Sequence, residues 1–124
     1  MTSHKINGLN ESLRISFFGE PGSGGAYHSY CISQPNLGKD CKPHSVNLFS
    51  LKFQEGPIQE AGVNGISNEA LLAIVEHRLQ CFQDGLFKCR ENAVALTKLQ
   101  ECIMWLQKRT RDRVARGVEG TSTV

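Results

Sequence analysis

The stretch SNEALLAIVEHRLQCFQDG (67–85), followed at once by LFK and CRENAVALTKLQECIMWLQKRTRDR (89–113), decides how this chain folds. In its first half Leu72, Val75, Leu79 and Phe82 recur at steps of three, four and three residues, which places them on one stripe of a helix. Ser67 and Asn68 can each accept a bond from the free amides of a first helical turn, and Glu69 suits its positive end, so the helix starts there. Gly85 ends it. In the second half Asn92, Leu96, Leu99, Ile103, Leu106, Thr110 and Arg113 alternate steps of four and three without a break. That spacing is a heptad seam on a helix from about Arg90 to about Arg113, and a seam buries its positions against a partner helix. Two helices joined by so short a loop pack antiparallel as an αα-hairpin.

The four central members of the seam are ordinary core residues. Its ends are polar, and Asn92, Thr110 and Arg113 each need a partner, water or a ligand. Asn92 suits a register-setting or capping role as well as it suits a ligand. The far end is strongly basic: Lys108, Arg109, Arg111, Arg113 and Arg116 stand against one acid, Asp112. The formal charge of +2 hides this, because without that segment the chain has nine basic and eleven acidic residues. Such a cluster either attracts phosphates or is a solvated helix end favoured by the helix dipole. In an antiparallel hairpin Phe82 and Asn92 share the loop end, whereas Arg109 lies 17 residues beyond Asn92, roughly 25 Å along the helix. One small ligand does not bridge that gap within a chain. A second chain packed antiparallel on the same seam would bring its basic end beside the first chain's Phe82 and Asn92, giving two equivalent composite sites.

Outward from the hairpin the composition changes near residue 64. Before it, β-favouring runs (Leu13 to Phe18, Ala26 to Ser33, Val46 to Phe53) are separated by Gly, Pro, Asn and Asp clusters, as strands joined by turns are. The expected fold is α+β: a small N-terminal antiparallel sheet, then a long hairpin that drives oligomerisation. The 124 residues suit a single domain, with a β-rich part at 1–63, the hairpin at 64–116 and a tail at 117–124. Apolar residues at 40% and charged residues at 21% describe an ordinary globular chain. No run approaches a membrane span, and the first twelve residues carry no apolar signal core. Five cysteines without a CxxC pair suit reduced cytosolic thiols.

Other chemistry is thinly represented. The loop GEPGSGG (19–25) could bring amides near an anion but lacks the ending of a P-loop, and reads as a turn between strands. His28, Cys31, Cys41 and His44 offer a loose H-x2-C and C-x2-H pairing that departs from structural zinc patterns, so no metal is expected. His77, Glu76, Glu91 and Glu101 form no catalytic motif, and no catalytic residue or cofactor is assigned. Aromatics are few and Trp105 and Phe82 lie in apolar patterns, where core packing is the default; a nucleic-acid polymer is therefore a weaker partner than a small ligand.

The wording FQEGPIQEAGVNGISNEALLAIVEHRLQCFQDG, with CRENA, ALTKL, WLQKRTRDR and RGVEGT, resembles the phage anti-Thoeris sponge family over roughly residues 53 to 121. The hairpin also looks like that of phage anti-CBASS sponges, which hold cyclic dinucleotides. The resemblance implies a protein of the host bacterial cytoplasm that binds, without cleaving, the glycocyclic ADP-ribose signal of the Thoeris TIR system, so that the effector NADase is not activated. It implies a homo-oligomer, dimer or hexamer, with cyclic di- or trinucleotides held by some members at separate sites. It also implies a ligand pocket at a subunit interface, which maps by motif onto Phe82, Asn92, Arg109 and Arg113, with Arg90 added as the neighbour of Asn92. These types suit a cyclic nucleotide: an aromatic ring to stack on adenine, an amide to read a base or ribose edge, and guanidinium forks for a pyrophosphate. A hydrolase of the same signal and a small nucleic-acid-binding protein are the alternatives.

Overall fold

A computed structural model describes residues 1–37 and 43–124, and these group into two compact units, Met1–Gly56 and Pro57–Val124. The first unit is a meander of three antiparallel strands in the order β1 (Arg14–Phe18), β2 (Ser29–Leu37) and β3 (Pro43–Lys52). The register sorts the side chains by face, because successive residues of a strand point to opposite sides. Ile15, Ile32 and Phe49 stand abreast, as do Phe17, Tyr30 and Leu51, so one face is apolar. Ser16, Cys31 and Ser50 stand abreast on the other. Aromatic contacts knit the apolar face: Phe17 and Tyr27 have ring centres 4.5 Å apart, and Tyr30 meets the edge of Phe53 at 5.6 Å.

The alternation survives a bulge in β3. Ile32 pairs with Phe49 but Ser33 pairs with Asn47, so Leu48 is unopposed and more than half exposed. Asn47 holds the bulge by accepting from the Phe49 amide at 3.2 Å and donating to the Ser50 hydroxyl at 2.8 Å. A short helix, α1 (Gly8–Ser12), precedes β1 and is capped by the Asn7 side chain. The 19–25 loop joins β1 to β2, as its sequence suggests, through a single tight helical turn at Ser23–Gly25. Its amides at Gly22 and Gly25 bond to the carbonyls of Ala26 and Gly22, so these two are spent within the loop.

The second unit contains α2 (Ile58–Ala61), α3 (Asn68–Asp84) and α4 (Arg90–Ala115), and α3 packs on α4. Helix α3 begins where its capping chemistry says it should, with the Ser67 hydroxyl accepting from the Ala70 amide at 3.1 Å. It ends at Gly85. Helix α4 has an unusual cap, the Cys89 sulfur accepting from the Asn92 amide at 3.4 Å. Along α4 the residues at least half-buried are Asn92, Ala93, Leu96, Leu99, Ile103, Leu106 and Arg113. Except for Ala93 and the exposed Thr110, that is the heptad seam.

The facing stripe on α3 differs from its expected form. Leu72, Leu79 and Phe82 are half-buried, but Val75 is 44% exposed, and Glu76 and Gln83 take the positions beside Leu72 and Leu79. Polar residues succeed there because their aliphatic stems can cover apolar surface while their heads find partners. Gln83 shows this directly, accepting from the Cys89 amide at 3.1 Å and so tying the end of α3 to the start of α4. The α+β architecture is therefore as expected: a three-stranded antiparallel sheet followed by a helical hairpin.

Candidate functional site: the two ends of the hairpin

At the loop end, Phe82 stands in the last turn of α3 and Asn92 in the first turn of α4, both half-buried. Phe82 already carries a cation, since the Arg78 guanidinium lies 5.1 Å from its ring centre. Arg78 was not among the expected site residues, although its spacing of four residues from Phe82 on one helix could have marked it. Asn92 gives its backbone amide to the Cys89 cap, and its side chain makes no hydrogen bond among the described residues. Arg90, the first residue of α4, is exposed and has no ion pair among the described residues. This end presents a ring, an amide and two guanidinium groups with unspent donors.

At the other end the basic cluster is divided by its partners. Lys108 pairs with Asp112 at 2.7 Å, an exposed pair one turn apart on α4. Arg109 and Arg111 have no partner among the described residues. Arg113 is different: its side chain is only 12% exposed. Its Nε–H donates to Glu119 Oε2 at 3.2 Å, Nη1 donates to the Thr123 carbonyl at 2.7 Å, and Nη2 donates to the carbonyls of Val118 and Thr121, each at 3.0 Å. Arg116 holds the last residue through a bond to the Val124 carbonyl.

The C-terminal strap so formed is built into the unit. Gln59 bonds to it twice, backbone amide to the Gly120 carbonyl at 2.9 Å and side-chain amide to the Glu119 carbonyl at 2.8 Å, and the Ser122 hydroxyl reaches the Glu60 carboxylate at 3.1 Å. Gly120 is buried at φ 78°, and a Cβ there would lie 2.9 Å from Gln59 Cγ, so only glycine fits. The seam identified Arg113 as a polar residue needing a partner, and the strap is a partner that its spacing did not reveal.

Trp105 is not a core residue as its apolar surroundings suggested: it is 64% exposed. Nine residues from Leu96, it falls on the opposite side of α4 from the seam. With Met104, Lys108 and Arg111 it lines a shallow groove of about 220 Å³. His77 and Cys81 face each other one turn apart on exposed α3 positions, at 3.8 Å from Nε2 to sulfur, with no carboxylate bonded to the ring among the described residues. Of the suggested metal pairing, Cys41 and the His44 side chain lie outside the described residues, and the described residues contain no group of three candidate ligands. Among the described residues no helix is long and apolar enough to cross a membrane.

The hairpin thus brings Phe82, Asn92 and Arg90 to one end, and Arg109 and Arg113, one turn apart, to the other. Residues 50–111 match the model of the Acb2/Tad1 hairpin domain, a span that includes Phe82, Arg90, Asn92 and Arg109 and stops short of Arg113 and the strap. The chain is also similar to a protein named Thoeris anti-defense 1 from Bacillus phage SBSphiJ7, with 55% identity over 80 residues that cover 64% of this chain and 56% of that relative. The match therefore spans little more than half the length of the relative. With half of its length matching the hairpin-domain model and 55% identity to that relative over 80 residues, the chain belongs to the Acb2/Tad1 hairpin family, that of the anti-Thoeris sponges its sequence resembles.

Proposed function

We propose that the protein is a phage sponge that sequesters the glycocyclic ADP-ribose signal of the Thoeris TIR system in the host cytoplasm, without cleaving it. The observation that carries this reading is the seam of α4. Its middle is apolar, yet Leu96 alone is buried to 8% exposure while Leu99, Ile103 and Leu106 stay only half-buried in a single chain. Covering such a stripe with a second copy removes apolar surface from water at about 25 cal/mol per Å². Antiparallel pairing on the seam places Arg109 and Arg113 of one chain beside Phe82 and Asn92 of the other, with Arg90 adjacent.

In that composite site Phe82 stacks on the adenine, Asn92 reads a polar edge, and the arginines neutralise the pyrophosphate. The assembly is a dimer or a hexamer, and cyclic di- or trinucleotides would occupy sites apart from this one. Sequestration needs neither cofactor nor metal. Incubating the protein with glycocyclic ADP-ribose, then heating it and analysing the released nucleotide, tests the reading. Recovery of intact ligand in proportion to protein supports a sponge. Release of an opened or shortened product makes the protein a hydrolase instead, and failure to deplete the ligand refutes both.

A further inference from the structure

A guanidinium has five N–H donors, and the strap spends four of those on Arg113. The one left, on Nη1, can make a single contact, so an anionic group gains a further donor here only where one of these four bonds is given up. Three of the four acceptors are backbone carbonyls, and the backbone around them is fixed independently by Gln59, by the Ser122–Glu60 bond and by the Arg116 bond to Val124. The fourth is the Glu119 carboxylate. It is the charged member of the set, it sits on a side chain 37% exposed, and it can swing into water while its own carbonyl stays on Gln59.

We infer that Glu119 occupies Arg113 as a stand-in for the anionic group of the ligand, so that a diphosphate takes Arg113 by displacing Glu119 from the Nε–H. This rests on the reading of Arg113 as a ligand contact and adds to it a residue that sets the affinity threshold. Without ligand, the carboxylate keeps a largely buried cation paired, which avoids the cost of an uncompensated charge. On binding, one anion replaces another, and the net gain is the difference between the two ion pairs. Weakly charged ligands do not repay the exchange. A diphosphate does.

Equilibrium binding of inorganic pyrophosphate at fixed ionic strength, to the wild type and to Glu119→Gln and Glu119→Ala, tests the exchange. Glutamine can keep the bond to Nε–H but not the charge, so both variants are expected to hold pyrophosphate about fivefold more tightly, the scale of a partly exposed ion pair. A strap that merely supported the fold would give equal or weaker binding in both, which overturns the inference. As a second measurement, the Arg113 Nε–H resonance of the wild type shifts with pyrophosphate occupancy; a resonance that stays fixed at saturation also overturns it. Glycocyclic ADP-ribose as a second probe separates the two readings. If pyrophosphate behaves as described and the cyclic nucleotide binds no variant, the sponge fails and the exchange stands. If the cyclic nucleotide binds the wild type tightly with no gain in either variant, the sponge stands and the exchange fails.

Discussion

The two ends of the hairpin solve the same problem in opposite ways. Both place polar residues on a seam whose middle is leucine and isoleucine. At the loop end the backbone is closed by local caps, Cys89 on α4 and Gln83 on the Cys89 amide, and among the described residues the side chains of Asn92, Arg90 and Arg78 make no hydrogen bond, Arg78 lying over the Phe82 ring. At the other end the polar seam residue is consumed by the chain itself, Arg113 being wrapped by the strap. Arg109, one turn away, is open. On the proposed reading, then, one arginine carries stability as well as recognition, and its neighbour is left for recognition alone.

Five substitutions break or sharpen that contrast. The largest effect is expected where neither end is involved: Leu96→Ala, at the position with 8% exposure, costs about 3 kcal/mol of unfolding free energy in a denaturant titration. Next is Arg113→Ala, which strips four acceptors of the strap and costs about 2 kcal/mol; Arg109→Ala, in the same titration, stays within about 0.5 kcal/mol. Equal costs at the two arginines would erase the difference between them. Ser67→Ala removes the cap of α3 and costs about 1 kcal/mol, checked by the thermal melt. Smallest is Asp112→Asn, which breaks an exposed pair worth about 0.3 kcal/mol and whose effect vanishes in concentrated salt.

The contrast also explains what was legible in the sequence. The heptad of α4 and the caps around Ser67 and Gly85 are local and periodic, and they lie where their spacing put them. The three strands announced themselves by β-favouring runs between turn residues. What escaped was whatever depends on partners distant in sequence or on fewer than two turns of helix. Helices α1 and α2, of five and four residues, are too short for periodicity to register. The strap joins Arg113 to carbonyls up to ten residues on and to Gln59 some sixty residues back, and carbonyls carry no sequence signal. Val75 and Trp105 are exposed although apolar, because on these thin helices one side has no cover within the chain, and residue type alone does not say which side that is.

The residues of the proposed site were legible as types at the ends of a seam, and in the proposed assembly they meet only through a second chain. Mixing two separately inactive variants, Asn92→Ala and Arg109→Ala, under conditions of subunit exchange, and measuring glycocyclic ADP-ribose bound per chain, tests that most directly. A site shared between chains predicts that the mixture regains about a quarter of the wild-type capacity, because each mixed pair rebuilds one intact site of its two. A mixture that stays as inactive as its components, although mixed pairs form, would contradict it.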